Sequence, residues 1–390
     1  MIELEKVVKI YPNGTNALRG ISFSIEKGEL CVVVGPSGCG KTTLLKLINR
    51  LIPLTSGKIL IEGVDVQTLN PIQLRRRIGY AIQEVGLFPH MTVRENILTV
   101  PKLLKWPKEK QLHRAYELCE LVGLIPPEDF LNRYPSELSG GQRQRVGVAR
   151  ALGADPPVLL MDEPFGALDP ITREKLQDEF LRIQAEIKKT VVFVTHDVNE
   201  AIKMGDKIAL LREGKLIQYA TPVELLFSPK DNFVRDFVGA DRTLKALRLL
   251  KVWEIMDPQP PKVRADQSLA EAVREMDHWK VNFIGVVDQE ERFLGWLTRP
   301  FQYLVEKKVA EVMAPCATLA TPNMPVSEAL SKMLENGVGN LAVVQEEGKL
   351  VGLITFERML KVLRDSYLEN KLTPDIEGVK DVSGCMGVDK

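Results

Sequence analysis

Nine residues from Gly35 to Thr43 read GPSGCGKTT. They follow an apolar, β-branched run (LCVVVG, 30–35) and lead into a helical pattern (TTLLKLINRL). In that setting the glycines let successive backbone N–H groups turn toward phosphate oxygens, and the helix N-terminus adds the favourable end of its dipole. Lys41 is placed to reach the β- and γ-phosphates of a nucleotide, and Thr42 to offer its hydroxyl to Mg²⁺. Gly35, Pro36, Ser37, Gly38, Cys39, Gly40, Lys41, Thr42 and Thr43 are therefore the expected nucleotide-binding loop. A second run, VLLMDEP, ends an apolar strand in Asp162 and Glu163. Two carboxylates there are costly without a cation nearby. Asp162 reads as a Mg²⁺ ligand and Glu163 as the group that polarises an attacking water.

These residues need elements to hold them. The first 240 residues or so alternate short apolar runs (30–35, 158–163, 191–196, 207–211) with helical patterns. Such runs suit buried strands of a mainly parallel sheet, so an α/β fold is expected. Beyond it, IMDPQPPKVRADQSLAEAVREM from Ile255 matches VMAPCATLATPNMPVSEALSKM from Val312. GVVDQEERFLGWLT from Gly285 matches AVVQEEGKLVGLIT from Ala342, and the offset is 57 at every matched pair. A constant offset predicts two copies of one β-α-β-β-α unit. The expected division is 1–240, a linker at 241–254, copies at 255–311 and 312–366, and a polar tail at 367–390.

At 390 residues the chain exceeds one ordinary core, and 45% apolar content fills two or three. Lys plus Arg equals Asp plus Glu at 52 each, which gives no electrostatic footprint for nucleic acid. No run reaches the roughly 18–20 apolar residues that cross a bilayer. The opening MIELEKVVKIYPNG does not read as a signal peptide. Five scattered cysteines without a Cys-x-x-Cys pair argue against zinc or a disulfide framework and fit a reducing cytoplasm. Cys39 reads either as a small filler or as an oxidisable thiol whose pKa a helix N-terminus lowers.

LSGGQRQR from Leu138, DEPFGALD from Asp162 and VTHD from Val194, in that order, resemble the ATP-binding-cassette (ABC) ATPases. The resemblance implies an ABC nucleotide-binding fold with a parallel-sheet core, an antiparallel subdomain and a helical subdomain. It implies that Tyr11 stacks on adenine, that Gln83 is the Q-loop glutamine near Mg²⁺ and the water, that Asp169 lies in the D-loop, and that His196 is the switch histidine. Ser139, Gly140, Gly141 and Gln142 become the signature motif, which opens a helix and forms a second anion site. In this family the signature acts on ATP held by a second copy, so a head-to-tail homodimer is expected, bound to transmembrane permease subunits on the cytoplasmic side of the membrane.

Three segments, 75–97, 100–109 and 162–180, look like the ATPases of osmoprotectant importers for glycine betaine, carnitine, choline and related quaternary ammonium compounds, which also depend on an extracytoplasmic solute-binding protein. Glu84 stands where relatives commonly carry Gln. The repeat resembles a pair of CBS domains. A ribose-binding acid is missing in both copies, since Phe301 and Arg358 stand three residues after Thr298 and Thr355. That disfavours AMP or ATP and leaves Thr298, Arg299, Thr355 and Arg358 as candidates for an anionic ligand such as a cyclic dinucleotide. Ionic-strength sensing and a purely structural pair stand beside that reading. So do an importer for an amino acid or polyamine, a binding module without hydrolysis, and a non-transport ABC ATPase of DNA repair or translation.

Overall fold

The computed structural model describes residues 1–82, 86–166, 168–299, 307–316 and 318–368. The chain forms two compact units. The first comprises Met1–Leu225 and Pro229–Gly239, and the second Leu226–Ser228 and the chain from Ala240.

A six-stranded sheet organises the first unit, in the order Lys215–Ala220, Lys207–Arg212, Leu30–Val34, Thr190–Val194, Val158–Asp162, Ile78–Ala81. Its pairings are parallel except for the edge hairpin of the first two strands. Every residue of Leu30–Val34, Val158–Asp162 and Thr190–Val194 is buried. Strands covered on both faces need continuous apolar runs rather than alternation, and that is the pattern their sequences carry. A four-stranded sheet, largely antiparallel, adds Asn16–Ile25, Ile2–Ile10, Ser56–Ile61 and Val64–Asp65. Its buried face joins one core with Val33, Leu44, Leu45, Val192 and Leu211. Helices from Val93 to Leu152 make a helical region beside these sheets.

The second unit carries the repeat at the level of hydrogen-bond register. Phe283 faces Thr298 as Asn340 faces Thr355, and Val263 faces Val286 as Ala320 faces Val343. The bulge between Val286 and Val287 recurs between Val343 and Val344. Helix Leu269–Trp279 has its counterpart in Val326–Asn336, each buried on one stripe. Phe356–Leu368 closes the second copy. Its counterpart in the first copy would span 299–311, of which 300–306 lie outside the described residues. The segment expected as a linker is helical at Arg242–Leu249 and Val252–Ile255, and Leu247, Leu250, Val252 and Ile255 share a core with the second copy's Ala329, Met333 and Ile354.

Candidate functional site

The strand Leu30–Val34 ends at Gly35, and the helix Lys41–Ile48 starts after Gly40. Gly35 has φ +152°, and a Cβ there would sit 2.1 Å from the Leu211 carbonyl oxygen. Gly40 has φ +107°, and a Cβ would meet the Ala17 carbonyl oxygen at 2.6 Å. No other residue type fits either position, so the loop's path is fixed by both ends. Between them the Lys41 side chain folds back. Its ammonium donates to the Gly35 carbonyl at 2.7 Å and the Pro36 carbonyl at 3.1 Å, and Lys41 is only 7% exposed.

Asp162 closes the neighbouring strand. Its carboxylate accepts from the Thr42 hydroxyl at 3.1 Å. Burial pushes the Asp162 carboxyl above the usual range, the Thr42 bond opposes that, and the adjacent Glu163 carboxylate adds to it. Glu163 adopts φ +45°, a left-handed conformation that costs a non-glycine residue roughly 1–3 kcal/mol. Its backbone N–H donates to Val194 O at 3.0 Å, and its Oε2 lies 3.0 Å from His196 Nδ1. Two adjacent strand ends thus bring the acid and the histidine into hydrogen-bond contact. Thr43 and Tyr11 meet through their hydroxyls at 3.2 Å, with the Lys9 ammonium 5.2 Å from the Tyr11 ring centre.

A cleft of about 380 Å³ opens over this loop, lined by Ser37, Gly38, Gly40, Lys41, Thr42, Thr43 and Glu163. Arg19, Glu213 and Gly214 also line it. They lie outside every motif, and Gly214 donates its N–H to Cys39 O at 3.2 Å across the sheet edge. The Glu213-Gly214 turn is legible as a hairpin signal, but its position against the phosphate loop is not.

Mg²⁺ demands hard oxygen donors and commonly takes one or two from protein, leaving the rest to water and substrate phosphate. Thr42 and Asp162 offer such a pair: a hydroxyl and a buried carboxylate with no cation of its own within the pair. The residues present fit the ion. Gln83 lies outside the described residues. Cys39 is 3% exposed, and burial raises its thiol pKa despite the neighbouring Lys41.

Ser139, Gly140, Gly141 and Gln142 do not line the cleft. They open the helix Gly140–Leu152 with a capping box: the Gln142 N–H donates to the Ser139 hydroxyl at 3.2 Å, and the Ser139 N–H to Gln142 Oε1 at 2.9 Å. Asp169 caps the helix Pro170–Ile187, accepting from the Thr172 N–H at 3.0 Å. A Cβ on Gly141 would touch Thr172 at 3.4 Å, so the signature and the start of the Asp169 helix are neighbours.

In the second unit Thr298 and Thr355 end equivalent strands. The arginines are not equivalent. The Arg299 guanidinium donates to the Asp277 carboxylate and to Val273 O, both on helix Leu269–Trp279. Arg358 donates its Nε–H to Ile255 O, and its N–H to the Thr355 hydroxyl at 3.1 Å.

A family model described as ABC transporter matches residues 18–166, and one described as CBS domain matches 252–299 and 309–365. The choline transport ATP-binding protein OpuBA of Bacillus subtilis is 44% identical over 94% of this chain and 97% of its own length. The glycine betaine/carnitine/choline transport ATP-binding protein OpuCA of the same organism is equally similar, at 44% over the same shares. The osmoprotectant import ATP-binding protein OsmV of Salmonella typhimurium is 44% identical over 91% of this chain and 94% of its own. Among solved structures, the dimeric post-hydrolysis state of the ATP-binding cassette MJ0796 bound to ADP and Pi aligns with TM-score 0.51 and 36% identity, covering 57% of this chain and 99% of that one. With a phosphate loop, paired strand-end carboxylates, a signature helix and a duplicated second unit all on one chain, this protein belongs to the ABC transporter ATP-binding proteins that carry a CBS pair, the family that holds the choline, carnitine and glycine betaine transport ATP-binding proteins.

Proposed function

We propose that this chain hydrolyses ATP to drive an importer for small quaternary ammonium osmoprotectants such as glycine betaine, carnitine and choline. The observation that carries the solute class is the 44% identity to choline and glycine betaine/carnitine/choline transport ATP-binding proteins along 94% of the chain, through both units. In this reading it works at the cytoplasmic side of the membrane through permease subunits, with a solute-binding protein upstream of them. Among the described residues no helix is long and apolar enough to cross a membrane.

At the hydrolytic site, Lys41 releases the Gly35 and Pro36 carbonyls and turns its charge to the β- and γ-phosphates of ATP. Thr42 and Asp162 would hold Mg²⁺, which would supply charge neutralisation on the phosphates. Glu163 orients the attacking water and takes up its proton. His196, held on Glu163 through Nδ1, keeps that carboxylate aimed and leaves its second ring nitrogen for the γ-phosphate. By the family resemblance Gln83 would stand near the metal and the water, and Tyr11 would stack on adenine. A second copy, arranged head to tail, supplies Ser139, Gly140, Gly141 and Gln142 to the far side of the nucleotide, with Asp169 at the seam. Support for this comes from the absence of those four residues from the cleft of their own chain.

For the CBS pair the proposal is a regulatory anion site of cyclic-dinucleotide chemistry, resting on the register-exact duplication and on Arg299 and Arg358. The decisive test of the solute class is growth of a deletion strain at high salt with single solutes. Rescue by glycine betaine, carnitine or choline that depends on this gene is expected. Loss of amino-acid or polyamine uptake, with osmoprotectant uptake intact, would replace the solute class.

A further inference from the structure

Glu200 is 7% exposed, although it is a carboxylate and belongs to none of the motifs above. It sits in the first turn of the short helix Val198–Met204, which begins immediately after the loop that carries His196. Its Oε1 accepts from Gln177 Nε2 at 2.9 Å, and Gln177 is itself 6% exposed. Gln177 belongs to Pro170–Ile187, the helix that Asp169 caps. Two more contacts join the same pair of helices: Lys203 bonds the Asp178 carboxylate at 2.6 Å and the Glu174 carbonyl at 3.4 Å.

The other side of Glu200 faces the His196 loop. The Thr195 hydroxyl, 2% exposed, accepts from the Asp197 N–H at 3.0 Å, and the Asp197 carboxylate accepts from the Glu200 N–H at 3.4 Å. Burial raises the Glu200 pKa, and the neighbouring Thr195 and Gln177 side chains oppose that. Arg173, one turn before Gln177, donates to Leu168 O at 3.0 Å in the loop ahead of Asp169. A buried carboxylate without full hydrogen bonding would be a liability, so its retention between two helices calls for a reason.

We propose that Glu200 is a positioning residue for hydrolysis: through its side chain on Gln177 and its backbone on the Asp197 cap it locks the His196 loop to the helix that carries Asp169, so that the two loops move as one body. The path runs from the Leu168 carbonyl through Arg173 and the Pro170–Ile187 helix to Gln177 and Glu200, from Glu200 to Asp197 and its chain neighbour His196, and from His196 to Glu163. A shift of the Asp169 loop therefore reaches the acid that orients the water. Glu200 does not line the cleft over the phosphate loop, and acts only through His196. The proposal rests on the hydrolytic reading of Glu163 and His196.

The test uses the purified full chain and steady-state ATP hydrolysis. Glu200→Ala is expected to lower kcat about tenfold with the ATP KM within about twofold, because a small misplacement of an aimed group costs turnover more than binding. Glu200→Gln keeps an acceptor for Gln177 in the same volume and is expected to restore at least half of wild-type kcat. Gln177→Met, which removes the donor while keeping bulk, is expected to repeat the Glu200→Ala defect and guards against a Glu200→Ala variant that fails to fold. Wild-type kcat in Gln177→Met, or a Glu200→Gln variant as impaired as Glu200→Ala, would overturn the proposal. Glu163→Gln is run alongside: if it hydrolyses ATP at the wild-type rate, the hydrolytic reading falls first.

Discussion

Lys41 and Arg299 are both basic residues proposed to meet phosphate, and the protein stores them differently. Lys41 is buried and rests on two neutral carbonyls of its own loop. Arg299 is paired with a carboxylate, Asp277, on a half-exposed surface. A phosphate replaces a carbonyl with a net gain of charge pairing. To reach Arg299 it must compete with an anion already present. The backbone repeats the contrast. The phosphate loop is fixed by Gly35 and Gly40, which admit no other residue type. The duplicated strands repeat their register at every matched pair while the arginines beside them take unrelated partners. Preorganised charge marks a site built for one chemistry, and divergent partners on a shared backbone mark one free to change its ligand.

The sharpest way to break this comparison is at Glu163. Glu163→Gln keeps shape and a hydrogen bond to His196 but loses the base, and kcat is expected to fall about 10²–10⁴-fold with ATP binding retained. An ATP-bound dimer should accumulate on size exclusion. Lys41→Ala comes next. Loss of a charge-assisted contact is worth roughly 1.5–3 kcal/mol, so affinity for a fluorescent ATP analogue should fall about ten- to a hundredfold. Mixing Glu163→Gln chains with Ser139→Arg chains then tests whether the first unit is complete alone. Each homodimer is damaged at both sites, whereas a heterodimer keeps one intact, so an equal mixture should regain about a quarter of wild-type hydrolysis. No recovery, with heterodimers shown to form, would count against the head-to-tail arrangement.

The smallest effects belong to the second unit. A chain ending at Gly239 should hydrolyse ATP within about twofold of wild type yet lose control by salt or by a cyclic dinucleotide, since a ligand shifts transport only by its preference between states. Asp277→Asn should strengthen cyclic di-AMP binding by no more than about fivefold in calorimetry, because an exposed ion pair is worth about 0–1 kcal/mol. AMP should bind more weakly in the same measurement. No binding of either ligand, with the truncated form regulated as the full chain is, would favour a structural pair.

The α/β class, the duplication and the loop over 35–43 were legible because their signals are contiguous. An apolar run, a fixed spacing and a constant offset each survive in one dimension. Arg19, Glu213 and Gly214 were not, because they reach the cleft from strand edges far along the chain. Glu200 and Gln177 are ordinary helix residues until two helices cross and bury both. Asp277 was hidden likewise: a repeat reveals a backbone, and side-chain partners depend on what diverged between its copies. The expected linker at 241–254 reads as a short basic helix, and its Leu247 and Leu250 are spaced to enter a core.

The chain changes unit three times, because Leu226–Ser228 belongs to the second unit and Pro229–Gly239 to the first. Leu226 is 1% exposed, and Phe227 packs on the core around Leu247 and Met333. The seam is therefore a stitch rather than a single thread. A graft that swaps the C-terminal half at one junction leaves Leu226 and Phe227 behind, facing a core they were not selected for. A crossover before Leu226 instead brings Pro229–Gly239, with its buried Val234 and Val238, from the other parent, so each single junction misplaces one piece, and chimeras of each kind can be compared directly for soluble yield.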